Sequence, residues 1–304
     1  MPSAAPDLGT IGVWSAHLRS RDRDAVRRIA GTLDELGYGT LWVPGGSGGD
    51  LFGDVDTALT ATTRAVIATG VLNIWMHDAA STATWHAGTR ERHPGRVLLG
   101  LGNSHAALVE STDQTYHRPL SALRDYLDAL DAAPSPVPAE QRILAALGPK
   151  MLELATRRSI GAHPYLVDTA HTRTARHALG PDAVLAPELK VVFDTDRDRA
   201  REVARAHLDS YLRLPNYTRN LLRSGFTEDD ITGGGSARLV DGVVAWGDVD
   251  TIVRRAQEHI DAGADHVCVQ VLTANRRDVP LTAWRELAPA LLEGVTARRR
   301  ARSV

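Results

Sequence analysis

Apolar and polar residues form a repeating pattern of two kinds of segment along the chain. A short, continuous apolar run at Thr10–Trp14 is followed by a longer segment in which apolar residues between Val26 and Leu36 recur every three or four positions, ahead of Gly37. The first kind is typical of a buried strand, and the second of an amphipathic helix that ends at a glycine. Because helices cover the faces of parallel sheets, this alternation predicts an α/β fold.

The same unit recurs to the end of the chain. We expect seven further strands, at Thr40–Val43, Ala65–Leu72, Val97–Leu101, Ile143–Leu147, Ala162–Val167, Leu189–Phe193 and Val267–Leu272. Eight strand-and-helix units predict a closed (β/α)8 TIM barrel rather than an open sheet.

One barrel domain is expected over residues 1–304, with an ordered core at about 9–293. Residues 294–304 form a basic tail, which we interpret as a solvated end and which contains Arg298, Arg299, Arg300 and Arg302. The segment Leu212–Trp246 interrupts the repeat before the last helix-and-strand unit. We expect this insertion to form a lid or a subunit contact.

Composition narrows the function classes. The 35 basic and 37 acidic residues leave a net charge of -2, so nucleic acid and anionic membranes are not the expected partners, and a small molecule is. The single cysteine, Cys268, excludes an intramolecular disulfide and a cysteine-rich metal cage. No apolar run approaches 18 residues and no signal peptide opens the chain, so we expect a cytoplasmic protein.

Candidate catalytic residues are expected on the loops that follow strands, because catalytic groups of barrel enzymes lie there. His105 lies on such a loop and titrates near neutral pH, so it is a candidate proton donor or base, or else a partner of a loop carbonyl. His163 and Tyr165 share one face of the sixth strand, and they point either to a ligand or into the barrel core. The histidine pairs 86/93 and 171/177 lack the spacing of a helical metal site, so no metal is expected.

Several strings in succession resemble the luciferase-like family of flavin and deazaflavin oxidoreductases. They are Leu41–Val43, Ala68–Leu72, Leu99–Gly102 and Gly263–Val267. Two others, Ala146–Leu152 and Gly161–Tyr165, are similar to the branch that depends on coenzyme F420. The resemblance covers nearly the whole chain and implies a deazaflavin across the mouth of the barrel.

The resemblance also implies which residues hold the cofactor. Its phosphate would lie at Gly148, Pro149, Lys150 and Met151, where a glycine turn, a helix N-terminus and a lysine combine, although a plain turn with a surface lysine is the alternative. The family's non-prolyl cis peptide would fall at Asn73–Ile74, with Trp75 beside the ring or on the rim. Asn103, Ser104, His163 and Tyr165 complete the expected contacts.

The sequence departs from the deazaflavin branch at two positions. That branch often has a His after strand two and a Glu after the strand-four glycines, whereas this chain has Pro44 and Asn103 there. A sugar-phosphate dehydrogenase mechanism is therefore not expected. Hydride transfer between coenzyme F420 and a small organic substrate is the leading hypothesis, in an enzyme that forms a homodimer as is common in the family. The alternatives are an FMN-dependent monooxygenase, a protein that binds the cofactor without turnover, and an unrelated barrel enzyme.

Overall fold

Parallel strands form the centre of the molecule. The structure is a computed structural model and describes residues 5–46, 48–110 and 115–296. Its strands, in chain order, are β1 (Ile11–Trp14), β2 (Thr40–Val43), β3 (Val66–Thr69), β4 (Leu72–Asn73), β5 (Val97–Gly102), β6 (Arg142–Leu144), β7 (Gly161–Ala162), β8 (Val184–Leu185), β9 (Glu188–Val192), β10 (Val244–Trp246) and β11 (Val267–Val271). They pair in the order β10-β9-β11-β1-β2-β3-β5-β6-β7-β8, with β4 also on β5.

The sheet closes on itself. Only Ala186 and Pro187 separate β8 from β9, so this stretch bonds to β7 on one edge and to β11 on the other. Two hydrogen bonds of 2.9 Å complete the closure, from Ala186 N to Ala162 O and from Cys268 N to Pro187 O. Because β3 and β4 share one place in the ring, β8 and β9 share another, and β10 pairs with the end of β9 outside the ring, the ring has eight strand positions. The predicted (β/α)8 barrel is confirmed.

Helices surround this ring. They are α1 (Arg23–Glu35), α2 (Leu51–Ala61), α3 (Ala79–Arg92), α4 (Ala106–Glu110), α5 (Pro119–Asp131), α6 (Pro149–Arg158), α7 (Thr169–Leu179), α8 (Arg197–Leu208), α9 (Pro215–Arg223), α10 (Glu228–Ile231), α11 (Ala237–Val243), α12 (Val249–Asp261) and α13 (Leu281–Gly294). Aspartate side chains accept hydrogen bonds from first-turn N–H groups and so fix where six of them begin: Asp22, Asp50, Asp78, Asp168, Asp196 and Asp248. Among the described residues, none of the helices is long and apolar enough to cross a membrane.

Alternate residues of each strand face opposite sides of the sheet. One set packs together in the interior of the barrel and includes Trp42, Ala68, Leu98, Ile143 and Cys268. The other set packs against the helices in the main hydrophobic core. The interior is therefore filled by side chains, and any ligand cavity must lie at an end of the barrel.

Two predicted strands end earlier than expected. The strand predicted over 162–167 stops at Ala162, because Pro164 has no N–H and Leu166 has a φ of 57° that turns its own N–H to the Glu188 carboxylate. The strand predicted over 143–147 stops at Leu144. Both ends lie at the carboxyl side of the barrel, where the chain leaves the sheet to line a cleft.

The insertion is folded and joins the sheet. Residues 212–246 contain α9, α10 and α11, and they end in β10, which pairs with the last three residues of β9. The insertion therefore stands at the carboxyl ends of the strands. The arginines of the predicted basic tail, 298–300 and 302, lie outside the described residues.

Candidate active site

A cleft of two lobes opens at the carboxyl ends of the strands. The aromatic lobe has a volume of about 260 Å³ and is lined by Trp14, Asn73, Leu108, Tyr165, Tyr211 and Tyr217, among others. The arginine lobe has a volume of about 350 Å³ and is lined by Tyr116, Gly148, Met151, Asn216, Arg219 and Arg223, among others. Eight residues line both lobes, so the lobes are parts of one cleft: Val71, Gly102, Ser104, His105, Ala145, His163, Tyr165 and Tyr217.

A cis peptide lies at the junction of the two lobes, between β3 and β4. It joins Gly70 to Val71, so the expectation of a cis bond at Asn73–Ile74 is wrong: that bond lies beyond the break in the strand, in and after β4. Glycines surround Val71. A Cβ on Gly102 would stand 2.6 Å from Val71 Cγ2, and a Cβ on Gly45 would stand 1.7 Å from the Val71 carbonyl oxygen. Only glycine fits at these two positions.

The three predicted residues after this peptide have different environments. Asn73 lines the aromatic lobe; its Oδ1 accepts the Trp75 N–H, and its buried Nδ2 has no hydrogen-bond partner among the described residues. Ile74 is buried in the main core, away from the cleft. Trp75 donates from Nε1 to the Asn103 carbonyl at 2.9 Å and lies outside the lining of both lobes. Trp75 thus holds the loop that follows β5.

That loop brings Asn103, Ser104 and His105 to the cleft, as predicted. Asn103 lines the arginine lobe, and its buried Oδ1 finds no partner in the described ranges. His105 Nδ1 lies 3.1 Å from Asn216 Oδ1, and its ring lies 5.2 Å from that of Tyr217. Burial lowers the pKa of His105, and the bond to Asn216 opposes this shift only in part. His105 is therefore neutral at pH 7.

His163 and Tyr165 both line the cleft from beneath. His163 stacks on Trp42 with ring centroids 4.1 Å apart, and its Nδ1 lies 2.7 Å from the Ala186 carbonyl oxygen. Nε2 is buried and has no partner in the part of the chain that the structure describes. Burial lowers the pKa of His163 to about 4. A neutral imidazole that donates from Nδ1 presents an unused acceptor at Nε2.

The predicted phosphate-binding turn lies in the arginine lobe. Gly148 is the N-cap of α6, and both Gly148 and Met151 line the lobe. The side chains of Pro149 and Lys150 are exposed and do not line it. Instead a cation comes from α9, where Arg223 Nη2 lies 3.7 Å from the position of a Cβ on Gly148. Neither Arg223 nor Arg219 was predicted, because Arg223 and Gly148 are separated by about 75 residues of chain.

A buried ion pair beneath the aromatic lobe was also not predicted from the sequence. Lys190 Nζ lies 2.9 Å from Glu188 Oε1, with both side chains 1% exposed. The Nζ also lies 3.2 Å from Gln270 Oε1 and 3.8 Å from the centroid of the Tyr165 ring. The sequence does contain a signal for this pair, because two charged residues at alternate positions of an otherwise apolar strand are unusual. Among the described residues, no group of three or more His, Cys, Asp or Glu side chains could hold a metal.

Comparisons with known proteins agree on the fold. The family model described as luciferase-like monooxygenase matches residues 8–266. An F420-dependent secondary alcohol dehydrogenase, solved with an F420-acetone adduct, has a TM-score of 0.71 at 16% identity, over 94% of this chain and 99% of its own. The coenzyme F420-dependent tetrahydromethanopterin reductase of Methanopyrus kandleri has a TM-score of 0.70 at 14% identity, over 95% and 100%.

An FMN complex is almost as similar. The oxygenating constituent of 3,6-diketocamphane monooxygenase from Pseudomonas putida, a type II Baeyer–Villiger monooxygenase, has a TM-score of 0.69 at 12% identity, over 95% of this chain and 98% of its own. No curated protein matched the chain. At such identities these likenesses show the fold alone.

Proposed function

The chain belongs to the luciferase-like monooxygenase family, and on that premise we propose that it is an oxidoreductase that transfers a hydride between coenzyme F420 and a small organic substrate. One observation carries the proposal: the cleft is surrounded by buried polar atoms that have no hydrogen-bond partner among the residues the structure describes. They are Asn73 Nδ2, Asn103 Oδ1 and His163 Nε2. Leaving a buried polar group unsatisfied costs about 1–3 kcal/mol, so a ligand with both donors and acceptors is the natural partner of these three.

The pyrimidinedione edge of a deazaflavin has that character, since it alternates carbonyl oxygens with N–H. Asn73 would donate to a ring carbonyl, and Asn103 or His163 would accept from the N–H that lies between the two carbonyls. The bare backbone at Gly102 leaves Val71 uncovered between the two lobes, where a flat ring can lie on it. Ser104 and Tyr165 line the same space. The residues present therefore fit the coenzyme.

The arginine lobe fits the anionic end of the same coenzyme. The N-terminus of α6 carries the partial positive charge that attracts phosphate, and Gly148 leaves room for a close approach to its backbone. Pro149 begins the helix, and the amides of Lys150 and Met151 lie in its first turn. Arg219 and Arg223 add two cations from α9.

His105 is the proposed proton-transfer residue. When bound, the deazaflavin supplies a carbon that accepts or gives a hydride. The neutral His105 ring lines both lobes, and donation from Nδ1 to Asn216 leaves its Nε2 able to take the proton of a substrate. The departures at Pro44 and Asn103 leave no His or Glu at the positions that the deazaflavin branch often uses.

Titration of the purified apoprotein with oxidised F420 and, in parallel, with FMN tests the proposal. We expect tighter binding of F420, followed by fluorescence. Preference for FMN, together with rapid reoxidation in air, would replace the proposal with the monooxygenase, which the FMN-bound neighbour keeps as the second candidate. Tight binding of F420 without electron exchange in a substrate screen, with His105→Ala beside the wild type, would indicate a carrier. If neither binds at micromolar concentration, only the fold assignment survives.

We also propose that the enzyme works as a homodimer in the cytoplasm on a small-molecule substrate, as expected from the family resemblance and the composition. Sedimentation equilibrium measures the oligomeric state directly. A monomer at micromolar concentration would contradict the dimer without affecting the assignment of the cleft.

A further inference from the structure

The hydrogen-bonding groups around the aromatic lobe are oriented by a chain that starts at Lys190. The Lys190 ammonium can only donate, and it lies 3.2 Å from Gln270 Oε1. This contact fixes which end of the Gln270 amide faces inward, because the NH2 group would repel the ammonium. Glu188, at 2.9 Å on the other side, holds the ammonium in place.

The orientation of the Gln270 amide fixes the direction of the Tyr165 hydroxyl hydrogen, and through it that of the Tyr211 hydroxyl in the lobe. The Tyr165 hydroxyl lies 2.7 Å from the same Gln270 oxygen, so it must donate its single hydrogen there. The Tyr211 hydroxyl lies 2.9 Å from that of Tyr165 and so donates to it. Tyr211 lines the aromatic lobe, and its hydroxyl hydrogen is already donated to Tyr165. It can offer a ligand only lone pairs.

Two histidines of the lobe are likewise hydrogen-bond acceptors. His163 must donate from Nδ1, because its neighbour at 2.7 Å is the Ala186 carbonyl, and this leaves Nε2 as an acceptor. His105 donates from Nδ1 to Asn216 and likewise keeps a lone pair on Nε2. Asn73 Nδ2 is a donor, and the coenzyme is its proposed partner. The Ser104 hydroxyl, which also lines the lobe, can either donate or accept. Tyr217 can either donate or accept.

The lobe also lacks accessible charge. None of the described residues that line it is a lysine, arginine, aspartate or glutamate. Lys190 is fully buried beneath the Tyr165 ring and paired with Glu188. A phosphate or carboxylate would lose its hydration in this lobe without meeting a cation.

We propose that the aromatic lobe binds a small, uncharged molecule through a hydroxyl group that donates to Tyr211 or to His105. The lobe would therefore select an alcohol over the corresponding ketone or acid. That this molecule is the substrate rests on the proposed function, but its binding does not. A lobe of about 260 Å³ suits a molecule the size of a six-membered ring.

Binding to the apoprotein tests this selection without any turnover. The probes are cyclohexanol, cyclohexanone and cyclohexanecarboxylate, which share a ring and differ in hydrogen-bonding polarity or charge. Calorimetric titration at pH 7.5 should show cyclohexanol binding roughly fivefold more tightly than cyclohexanone, and cyclohexanecarboxylate binding most weakly. Equal or tighter binding of the ketone would overturn the proposal, and so would preference for the carboxylate.

Two variants test the chain itself. Tyr165→Phe removes the acceptor of the Tyr211 hydrogen, so Tyr211 becomes free to donate and the preference should shift towards cyclohexanone. Tyr211→Phe should reduce the preference for cyclohexanol towards that left by His105. An unchanged ratio of affinities in both variants would refute the role of the chain, provided that their unfolding midpoints show folded protein. Separate F420 titrations distinguish this failure from that of the proposed function.

Discussion

Single glycines decide whether the cleft can exist. A methyl group on Gly102 would stand 2.6 Å from Val71 Cγ2 and 3.1 Å from the Ala145 Cβ, so Gly102→Ala should push Val71 into the space between the lobes. We expect a loss of about 1–3 kcal/mol in the free energy of unfolding and at least tenfold weaker F420 binding. Gly88→Ala is the matched control, because nothing lies within 4 Å of its added methyl group on α3. It should stabilise the protein by about 0.5–1 kcal/mol and leave F420 affinity unchanged.

Also at the residue scale, removing one partner of the ion pair beneath the lobe should lower the free energy of unfolding strongly. Replacing both partners should lower it much less. Lys190→Met leaves the Glu188 carboxylate buried and unpaired, so we expect a loss of about 3–5 kcal/mol in urea unfolding. The double variant Glu188→Gln/Lys190→Met should recover most of this loss, because the glutamine can still accept the Leu166 N–H. A double variant as unstable as the single one would show that the charges themselves stabilise the fold.

At the scale of elements, hydrophobic periodicity predicts strands and helices well but not their ends at the cleft. The run Ala65–Leu72 contains only Thr69 and Gly70 besides aliphatic residues, and these two do not by themselves locate the break at Gly70–Val71 that divides β3 from β4. Gln270 and Lys190 come from different strands, and the pairing of β9 with β11 brings them together. Local patterns therefore found the residues on the loops after strands, such as His105, and missed those that depend on long-range packing.

The position of Arg223, on α9 and beside the N-cap of α6, is the element-scale feature with the clearest consequence for binding. Arg223 lines the arginine lobe, whereas the exposed Lys150 side chain does not. Arg223→Gln should therefore weaken F420 binding roughly fivefold, which corresponds to about 1 kcal/mol. Lys150→Gln, at equal change in charge, should weaken binding less than twofold. If Lys150→Gln loses more F420 affinity than Arg223→Gln, the predicted lysine contacts the anion and Arg223 does not.

At the scale of the whole molecule, buried histidines couple folding to pH. Burial lowers the pKa of His86, His163 and His266 to about 4 and that of His259 to about 3. Between these values and 6.5, the unfolded chain binds protons that the folded chain does not. The free energy of unfolding should therefore be highest above pH 6.5 and fall as the pH falls, by about 1.4 kcal/mol per pH unit for each histidine.

Urea unfolding at pH 7, 6 and 5 measures this dependence, in a range where carboxylates are still largely ionised in both states. His86→Leu isolates one contribution, because its buried Nε2 has no hydrogen-bond partner among the described residues and its ring lies on the inner face of α3. The variant should lose stability less steeply with falling pH, by about 1.4 kcal/mol per pH unit. If its slope equals that of the wild type, His86 is protonated in the folded protein, and its burial does not keep it neutral.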